Sequence, residues 1–532
     1  MKSETSTPSI PKEGFAGLRE NWRFDLPSGL IVFLIALPLS VGIAIASGAP
    51  PSAGIVAAIL GGILGSLFSG SYVTISGPAA GLIVVVLSGV ETLGQGDSAT
   101  GFRRALACFV MAGAIQIVFG LLKAGNLVFA CAHSVVHGML AAIGVIIITK
   151  QIPVLLGVKP HAKTILGMMG EIPDEVSHLN VPIAIIGVVG LALLLFWANK
   201  APKKLKWIPG PLLVAVGGIL AGQFIHMDYA HTLHLGMGEF MVGPSFLVTI
   251  PEKFSSLFIR PDFSQIFTAD SLVVTASILL VASLESVLST YAVDRLDPFR
   301  RRSDLNRDLM SKGVINLCCG MIGGLPVISE IVRSTANIDN GARTRWANFF
   351  HGTLMLVFIA ALPELVHAIP LSALAAILLV VGFRLAHPKQ LIQVYHHGWD
   401  ELVTFLVTLG VTLASDLMLG IAAGVITSLV TQRFRGAKVK EIFRPSIRTH
   451  AFGNHNEIRV EGSMGCVGLL RLRRHMLRAP SDKPVIVNLE SMRWMDFTVR
   501  EQLPSVASAI SRGGSSIQVR WPNRDSPSQM DN

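Results

Sequence analysis

Apolar residues in this chain do not recur on one helical face. They fill whole stretches, separated by short polar loops. A helix needs about 20 apolar residues to cross hydrocarbon. Runs of that order fall at 26–47, 52–68, 73–92, 104–122, 125–149, 181–198 and 208–224, then at 271–291, 310–324, 326–338, 347–367, 370–386, 400–414 and 416–432. The pattern predicts an all-α polytopic membrane domain over 25–432, with 14 transmembrane segments, some of them partial crossings, behind a polar arm at 1–24. After Gln432 the pattern changes. A basic, polar stretch at 433–456 leads to a strand at Glu457–Glu461, an amphipathic helix at Val467–Leu477 and a buried strand at Val485–Leu489. A helix at Phe497–Ser511, with Pro504 as a candidate kink, and a strand at Ile517–Arg520 complete it. Such alternation predicts a small C-terminal α/β domain within 433–532.

Composition agrees with this class. Hydrophobic residues make up 51% and charged residues 15%, against about 25% charged in ordinary soluble domains. The 51 glycines and 28 prolines are tolerated in packed membrane helices. The polar arm Met1–Arg23 runs straight into the first span, which is expected to be an uncleaved helix rather than a secretory leader. Cys108, Cys131, Cys318, Cys319 and Cys466 show neither a CxxC pair nor metal-ligand spacing, so they are expected as packing residues.

The net charge of +10 sits in loops and sets topology; it does not predict a nucleic-acid groove. Lys12, Arg19 and Arg23, then Lys200, Lys203, Lys204 and Lys206, fall on one side of an alternating count. Arg295, Arg300–Arg302 and Arg307, Arg343 and Arg345, and finally Arg433, Arg435, Lys438 and Lys440 fall on that same side. Exceptions such as Arg103 and Arg104 are fewer. Both termini are therefore expected in the cytoplasm. No enzyme constellation or P-loop is present in the sequence, so neither catalysis nor direct use of ATP is expected.

Seven segments leave the chain on the far side, so the next seven must be inverted. Two repeats are expected, at about 25–224 and 271–432, a plan in which transporters hold substrate at broken helices near the midplane. The breaks are visible. Ser71-Tyr72-Val73-Thr74-Ile75-Ser76-Gly77-Pro78 is β-branched and extended, then offers residues suited to a helix start. Gly323-Gly324-Leu325-Pro326-Val327-Ile328-Ser329-Glu330 repeats that grammar at the matching position of the second half. Two helix N-termini meeting at mid-membrane would offer unpaired N–H groups and positive dipole ends to an anion.

Asp25-Leu26-Pro27-Ser28-Gly29-Leu30 with Leu37-Pro38, Ser76-Gly77-Pro78, His133-Ser134-Val135-Val136-His137-Gly138, Leu284-Glu285-Ser286 and Asn340-Gly341-Ala342-Arg343-Thr344 occur in an order that resembles the sulfate permease (SulP) family. Val485–Leu489 followed by Met495-Asp496-Phe497-Thr498 is similar to the family's C-terminal STAS domain. The resemblance implies core and gate domains, a homodimer, and an anion held between Ala79, Ala80 and Gly81 on one side and Ile331, Val332 and Arg333 on the other. Departures occur at Leu39, where many sulfate-type members carry Gln, and at Asp496-Phe497-Thr498-Val499, where an Asp-Ser/Thr-Ser/Thr-Gly loop is usual. Little sequence follows Trp521, so the STAS unit is expected to be short.

Charges at membrane depth are functional candidates by default. Glu285 and Ser289 lie one turn apart, and bicarbonate-type members of the resembled family bind a coupling Na⁺ at these positions. Glu330, with the adjoining Ser329, completes the candidate coupling-ion set. Glu330 shares a face with Arg333, and a second carboxylate near Glu285 suggests a proton acceptor. Arg333 could add positive field at the anion or be neutralised by either carboxylate. His133, His137 and His351 are expected at segment edges, and Asp400, Asp416 and Glu364 at solvated segment ends. Together these features predict a secondary active transporter of a small inorganic anion in the cytoplasmic membrane. Bicarbonate or sulfate is expected, bicarbonate slightly favoured, coupled to Na⁺ or H⁺ by alternating access; no cofactor beyond a coupling Na⁺ is expected. A dicarboxylate, nucleobase or other organic anion transporter, a STAS-output membrane sensor or scaffold, and an uncoupled channel are the alternatives.

Overall fold

The computed structural model describes residues 10–125, 132–162, 164–202, 205, 208–235, 238–249, 257–435, 441, 444–452, 454–479, 483–511 and 516–522. Cys131, Lys203, Lys204, Lys206, Lys438, Lys440 and everything after 522 lie outside them. The chain divides into two compact units, Met1–Gly125 with Ile143–Ala386, and Asn126–Ala142 with His387–Asn532.

In the first unit, α1 (Gly14–Ala46) is followed by α2 (Pro51–Phe68), then strand β1 (Ile75–Pro78), which passes through a single turn at Ala80–Leu82 into α3 (Ile83–Gly94). Next come α4 (Ser98–Leu121), α5 (His133–Leu156), which continues from the second unit, α6 (Ile165–Ser177), α7 (Val181–Lys200) and α8 (Gly210–Phe224). The hairpin β2 (His231–Leu235) and β3 (Gly238–Val242) separates these from α9 (Ala269–Leu296) and α10 (Leu305–Ile322). Strand β4 (Val327–Glu330) runs into α11 (Ile331–Asp339), and α12 (Trp346–Ala361), α13 (Pro363–His367) and α14 (Leu371–Leu385) follow. Eight helices among the described residues are long and apolar enough to cross a membrane, and shorter apolar helices lie at Ala80–Gly94, Gly210–Phe224 and Trp346–Ala361.

The expected segments appear with shifted ends. The largest shift is at the start, where α1 begins inside the stretch expected as a polar arm. Its first turns carry Arg19, Glu20 and Arg23 exposed, and buried polar residues begin with Asn21 and Asp25. Asp25, fully buried, accepts hydrogen bonds from the N–H of Arg343 (2.8 Å) and of Thr344 (3.0 Å) and from the Thr344 hydroxyl (2.5 Å). Hydropathy marks only the apolar stretch of a helix, whereas the backbone hydrogen bonds that make the helix continue through its exposed polar turns. Close packing elsewhere rests on small residues. A side chain on Gly113 of α4 would run into the backbone of α10 at Gly313 and Leu317, and one on Gly313 into the backbone of α4.

The second unit holds α15 (Pro388–His397), α16 (Trp399–Ala414) and α17 (Leu417–Phe434), then β5 (Ser446–Ala451), β6 (Asn456–Met464), α18 (Cys466–Arg478), β7 (Val485–Asn488), β8 (Met492–Met495), α19 (Phe497–Ser511) and β9 (Ile517–Arg520). The strand order is β5-β6-β7-β9, with β8 also on β6; β5–β6 is antiparallel and the other pairs are parallel. Ile458, Val460, Leu472, Val485, Val487, Val499 and Leu503 form its apolar core. This is the expected α/β pattern, extended by β5 inside the supposed linker and by β8. Pro504 lies inside α19, which runs on past it.

Candidate functional site

The two sequence breaks meet. β1 and β4 pair antiparallel, with Ile75 opposite Glu330, Ser76 opposite Ser329, Gly77 opposite Ile328 and Pro78 opposite Val327. Each strand then turns into a helix. Ala79 (φ −105°, ψ 143°) and Glu330 (φ −103°, ψ 118°) are both extended, and neither caps the following turn with its side chain. The N–H groups beginning at Ala80 and at Ile331 are therefore left without side-chain caps, as expected of facing half-helices. Ala79 and Gly81 are buried and Ala80 half-buried, whereas Ile331 and Val332 are exposed and Arg333 is fully buried.

Side chains alternate along a strand, so the ribbon has two chemically distinct faces. On one lie Glu330 and Gly77. Arg333 Nε stands 3.8 Å from Glu330 Oε2, and its Nη2 donates to the Pro78 carbonyl at 3.4 Å. A side chain at Gly77 would collide with the same guanidinium. Glu285, from α9, sets its carboxylate against Gly81, where an added Cβ would strike all three carboxyl atoms. Glu285 Oε2, Glu330 Oε1 and Arg333 Nε and Nη1 are buried without a hydrogen-bond partner among the described residues.

On the other face are Ser76 and Ser329. Lys312 Nζ donates to Ser76 Oγ (2.6 Å), and Ser329 Oγ donates to Asp308 Oδ2 (3.0 Å). Asp308 also accepts from Ser69 (2.6 Å) and Thr290 (2.8 Å), and lies 3.5 Å from Lys312. Ser329, grouped with Glu330 on sequence, thus points away from it. Ser289 is half-buried one turn beyond Glu285, and no hydrogen bond joins the two among the described residues. Sequence reasoning missed Asp308 and Lys312. The available signal was a lone lysine inside an expected span with an aspartate four residues earlier.

Two further expectations are corrected. His351 is not at an edge but completely buried within α12. Asp400 is not solvated; it is 7% exposed and accepts from Arg435 Nη2 at 2.5 Å. Asp416 does lie at a segment end, accepting the Leu419 N–H at 3.0 Å to begin α17, and Glu364 is exposed in the first turn of α13. His133 and His137, half-buried at the start of α5, stand with their Nε2 atoms 2.6 Å apart.

In the second unit, the loop before α19 and the first turn of that helix are bound by helices of that same unit. Gln432 Nε2 donates to Asp496 Oδ2 (2.9 Å), and the His133 N–H donates to Thr498 Oγ1 (3.1 Å). Burial raises the Asp496 carboxyl above its ordinary value, partly opposed by the Thr498 hydroxyl and N–H. The folded chain therefore disfavours the ionised form. Stability from this group is greatest below the ordinary aspartate value of about 4 and falls as pH rises through the raised one. Asp496→Asn should flatten that decline in the melting temperature of detergent-purified protein; parallel pH profiles for variant and wild type would contradict it.

Extended strands paired at the heart of a helical bundle, each opening into a half-helix of an inverted half, define the secondary-transporter plan. The chain matches the sulfate permease family over residues 23–408 and belongs to that family, a family of transporters. The candidate sulfate transporter YvdB of Bacillus subtilis is 27% identical over 513 residues, which cover 94% of this chain and 91% of that one. The bicarbonate transporter BicA of Picosynechococcus sp. is 27% identical over 413 residues, 77% of this chain and 70% of that protein. The solved transmembrane domain of a cyanobacterial BicA superposes with a TM-score of 0.64 at 25% identity, covering 78% of this chain and 99% of that one. SLC26A9 shares the fold, with a TM-score of 0.70 at 15% identity over 94% of this chain and 84% of that one.

Proposed function

We propose that this protein is a secondary active transporter that carries bicarbonate or sulfate across the cytoplasmic membrane by alternating access, driven by Na⁺ or H⁺. The observation that carries this reading is the pair of facing half-helices with buried carboxylate oxygens and guanidinium nitrogens between them that lack hydrogen-bond partners among the described residues. The anion lies between the backbone of Ala79, Ala80 and Gly81 and that of Ile331, Val332 and Arg333, with the Arg333 guanidinium beside it. Glu285, with Ser289, supplies the hard oxygen donors that suit Na⁺, and Glu330 is the proton acceptor. Two carboxylates against one guanidinium leave the site with an excess negative charge when all are ionised. An anion entering alone would meet repulsion, so a cation or proton must accompany it, which argues against an uncoupled pore. Relatives named for bicarbonate and for sulfate keep both substrates open. Both termini are placed in the cytoplasm on the loop charges, the C-terminal α/β unit is taken as a STAS domain, and a homodimer is expected from the family resemblance. The protein changes no covalent bond of its cargo.

Uptake of labelled bicarbonate and of sulfate into proteoliposomes, with imposed Na⁺ and proton gradients, tests the proposal. Gradient-driven uptake of one anion is expected; uptake of neither would overturn it. Within that assay Glu330→Gln should lose stimulation by a proton gradient while retaining anion binding. Full gradient dependence in the variant would remove Glu330 from the coupling role.

A further inference from the structure

The β1–β4 ribbon has four residues in each strand. An isolated two-stranded ribbon of any length is marginal, so its geometry must be imposed from outside. α10 supplies the grip. Asp308, Lys312 and Asn316 recur at four-residue intervals and so form one stripe on that helix. Asp308 takes the Ser329 hydroxyl, Lys312 holds Ser76 Oγ, and Asn316 Oδ1 accepts the Val327 N–H at 2.6 Å. Asn316 is itself fixed, donating to Gln116 of α4 at 2.8 Å. Ser76 and Ser329 are register partners, so the two ends of one ion pair hold the two sides of one cross-strand pair. Thr290 brings α9, which carries Glu285, onto the same carboxylate.

The side chains of Asp308 and Lys312 are wholly buried. A buried ion pair gives little net stability over an apolar pair of similar volume, so its presence calls for another role. We propose that the Asp308–Lys312 pair is a clamp that fixes the spacing of the two half-helix N-termini, making both residues positioning residues for anion selection. The half-helices then travel as one body with α10, and the anion cradle keeps its dimensions in both access states. Recognition through backbone N–H groups depends on such placement, since it cannot adapt as long side chains do.

This inference rests on the transport reading above, and the test separates the two. Wild type, Asp308→Leu/Lys312→Met and Ser76→Ala/Ser329→Ala are reconstituted. Melting temperature, KM, kcat and the bicarbonate-to-sulfate uptake ratio are then measured. The apolar pair leaves the Ser69, Thr290 and Ser329 hydroxyls without their acceptor and should melt below wild type, while the protein that folds should show KM for the preferred anion raised about tenfold and the uptake ratio moved toward one. The double serine variant leaves the ion pair intact and should shift KM and the ratio the same way, which keeps the test decisive if the first variant fails to fold. Unchanged KM and ratio in the serine variant, or a loss of uptake that only follows the amount of folded protein, would overturn the clamp. Absence of uptake by wild type would instead overturn the transport reading, and the clamp would fall with it.

Discussion

Gly81→Ala is expected to lower coupled uptake at least about a hundredfold in kcat/KM, equivalent to about 2.7 kcal/mol of lost transition-state stabilisation, with little change in melting temperature. The cause is steric and local. Gly81 does not have a left-handed backbone, so alanine meets no conformational obstacle there. Its Cβ would nevertheless occupy the space of the Glu285 carboxyl group. Glu285 would have to swing away from the N-terminus that it faces, separating the proposed cation site from the anion cradle. Gly170→Ala in α6 is the matching control. Its added Cβ meets nothing within 4 Å, so uptake should be unchanged and stability the same or slightly higher. A Gly81→Ala variant that transports like wild type would show that the contact between α9 and the first half-helix is irrelevant to coupling.

Arg333→Gln should have the second large effect. The guanidinium is fully buried and is the positive side chain on the Glu330 face of the ribbon. Removing one partner of a buried pair costs about 3–5 kcal/mol, because the other charge is left uncompensated. The melting temperature should fall on that account, and anion affinity, read by calorimetry on purified protein, should fall about ten- to a hundredfold, the worth of one charge-assisted hydrogen bond. Arg333→Lys should not rescue it. The planar fork places Nη2 on the Pro78 carbonyl and Nη1 over Gly77, and a single ammonium cannot satisfy both positions. Glu330→Gln/Arg333→Gln separates stability from binding, since it should recover the melting temperature without the affinity. Recovery of both would mean that Arg333 serves only to neutralise Glu330.

The parts of the site that were legible in sequence are those specified locally. Val73 to Pro78 and Gly323 to Glu330 carry their extended conformation and helix starts in consecutive residues, so both half-helices could be placed before the fold was known. Glu285, Glu330 and Arg333 stood out because ionised groups are rare within apolar runs. What was not legible depends on contacts distant in sequence. Asp308 fell just outside an expected span, and its partners Ser69, Thr290 and Ser329 are spread over 261 residues from 69 to 329. Ser329 was grouped with its neighbour Glu330 because adjacency is visible in sequence, while strand alternation, which turns them to opposite faces, needs the register. The buried states of His351 and Asp400 likewise follow from packing that no local pattern encodes.

The two halves of the ribbon are unequal in what they contribute. The first offers Ser76, Gly77, Pro78 and then Ala79, Ala80 and Gly81, small or uncharged throughout. Every ionisable group assigned to the site, on α9, α10, β4 and α11, comes from the second. On the proposed assignment this is a division of labour between the two inverted halves. The first repeat keeps a cradle that accepts oxyanions through backbone alone and tolerates almost no added bulk. The second holds the energetics in a few exchangeable side chains. A lineage could therefore change its driving ion by substitutions at 285 and 330 while leaving the first repeat's sequence, and the shape of its cargo, untouched.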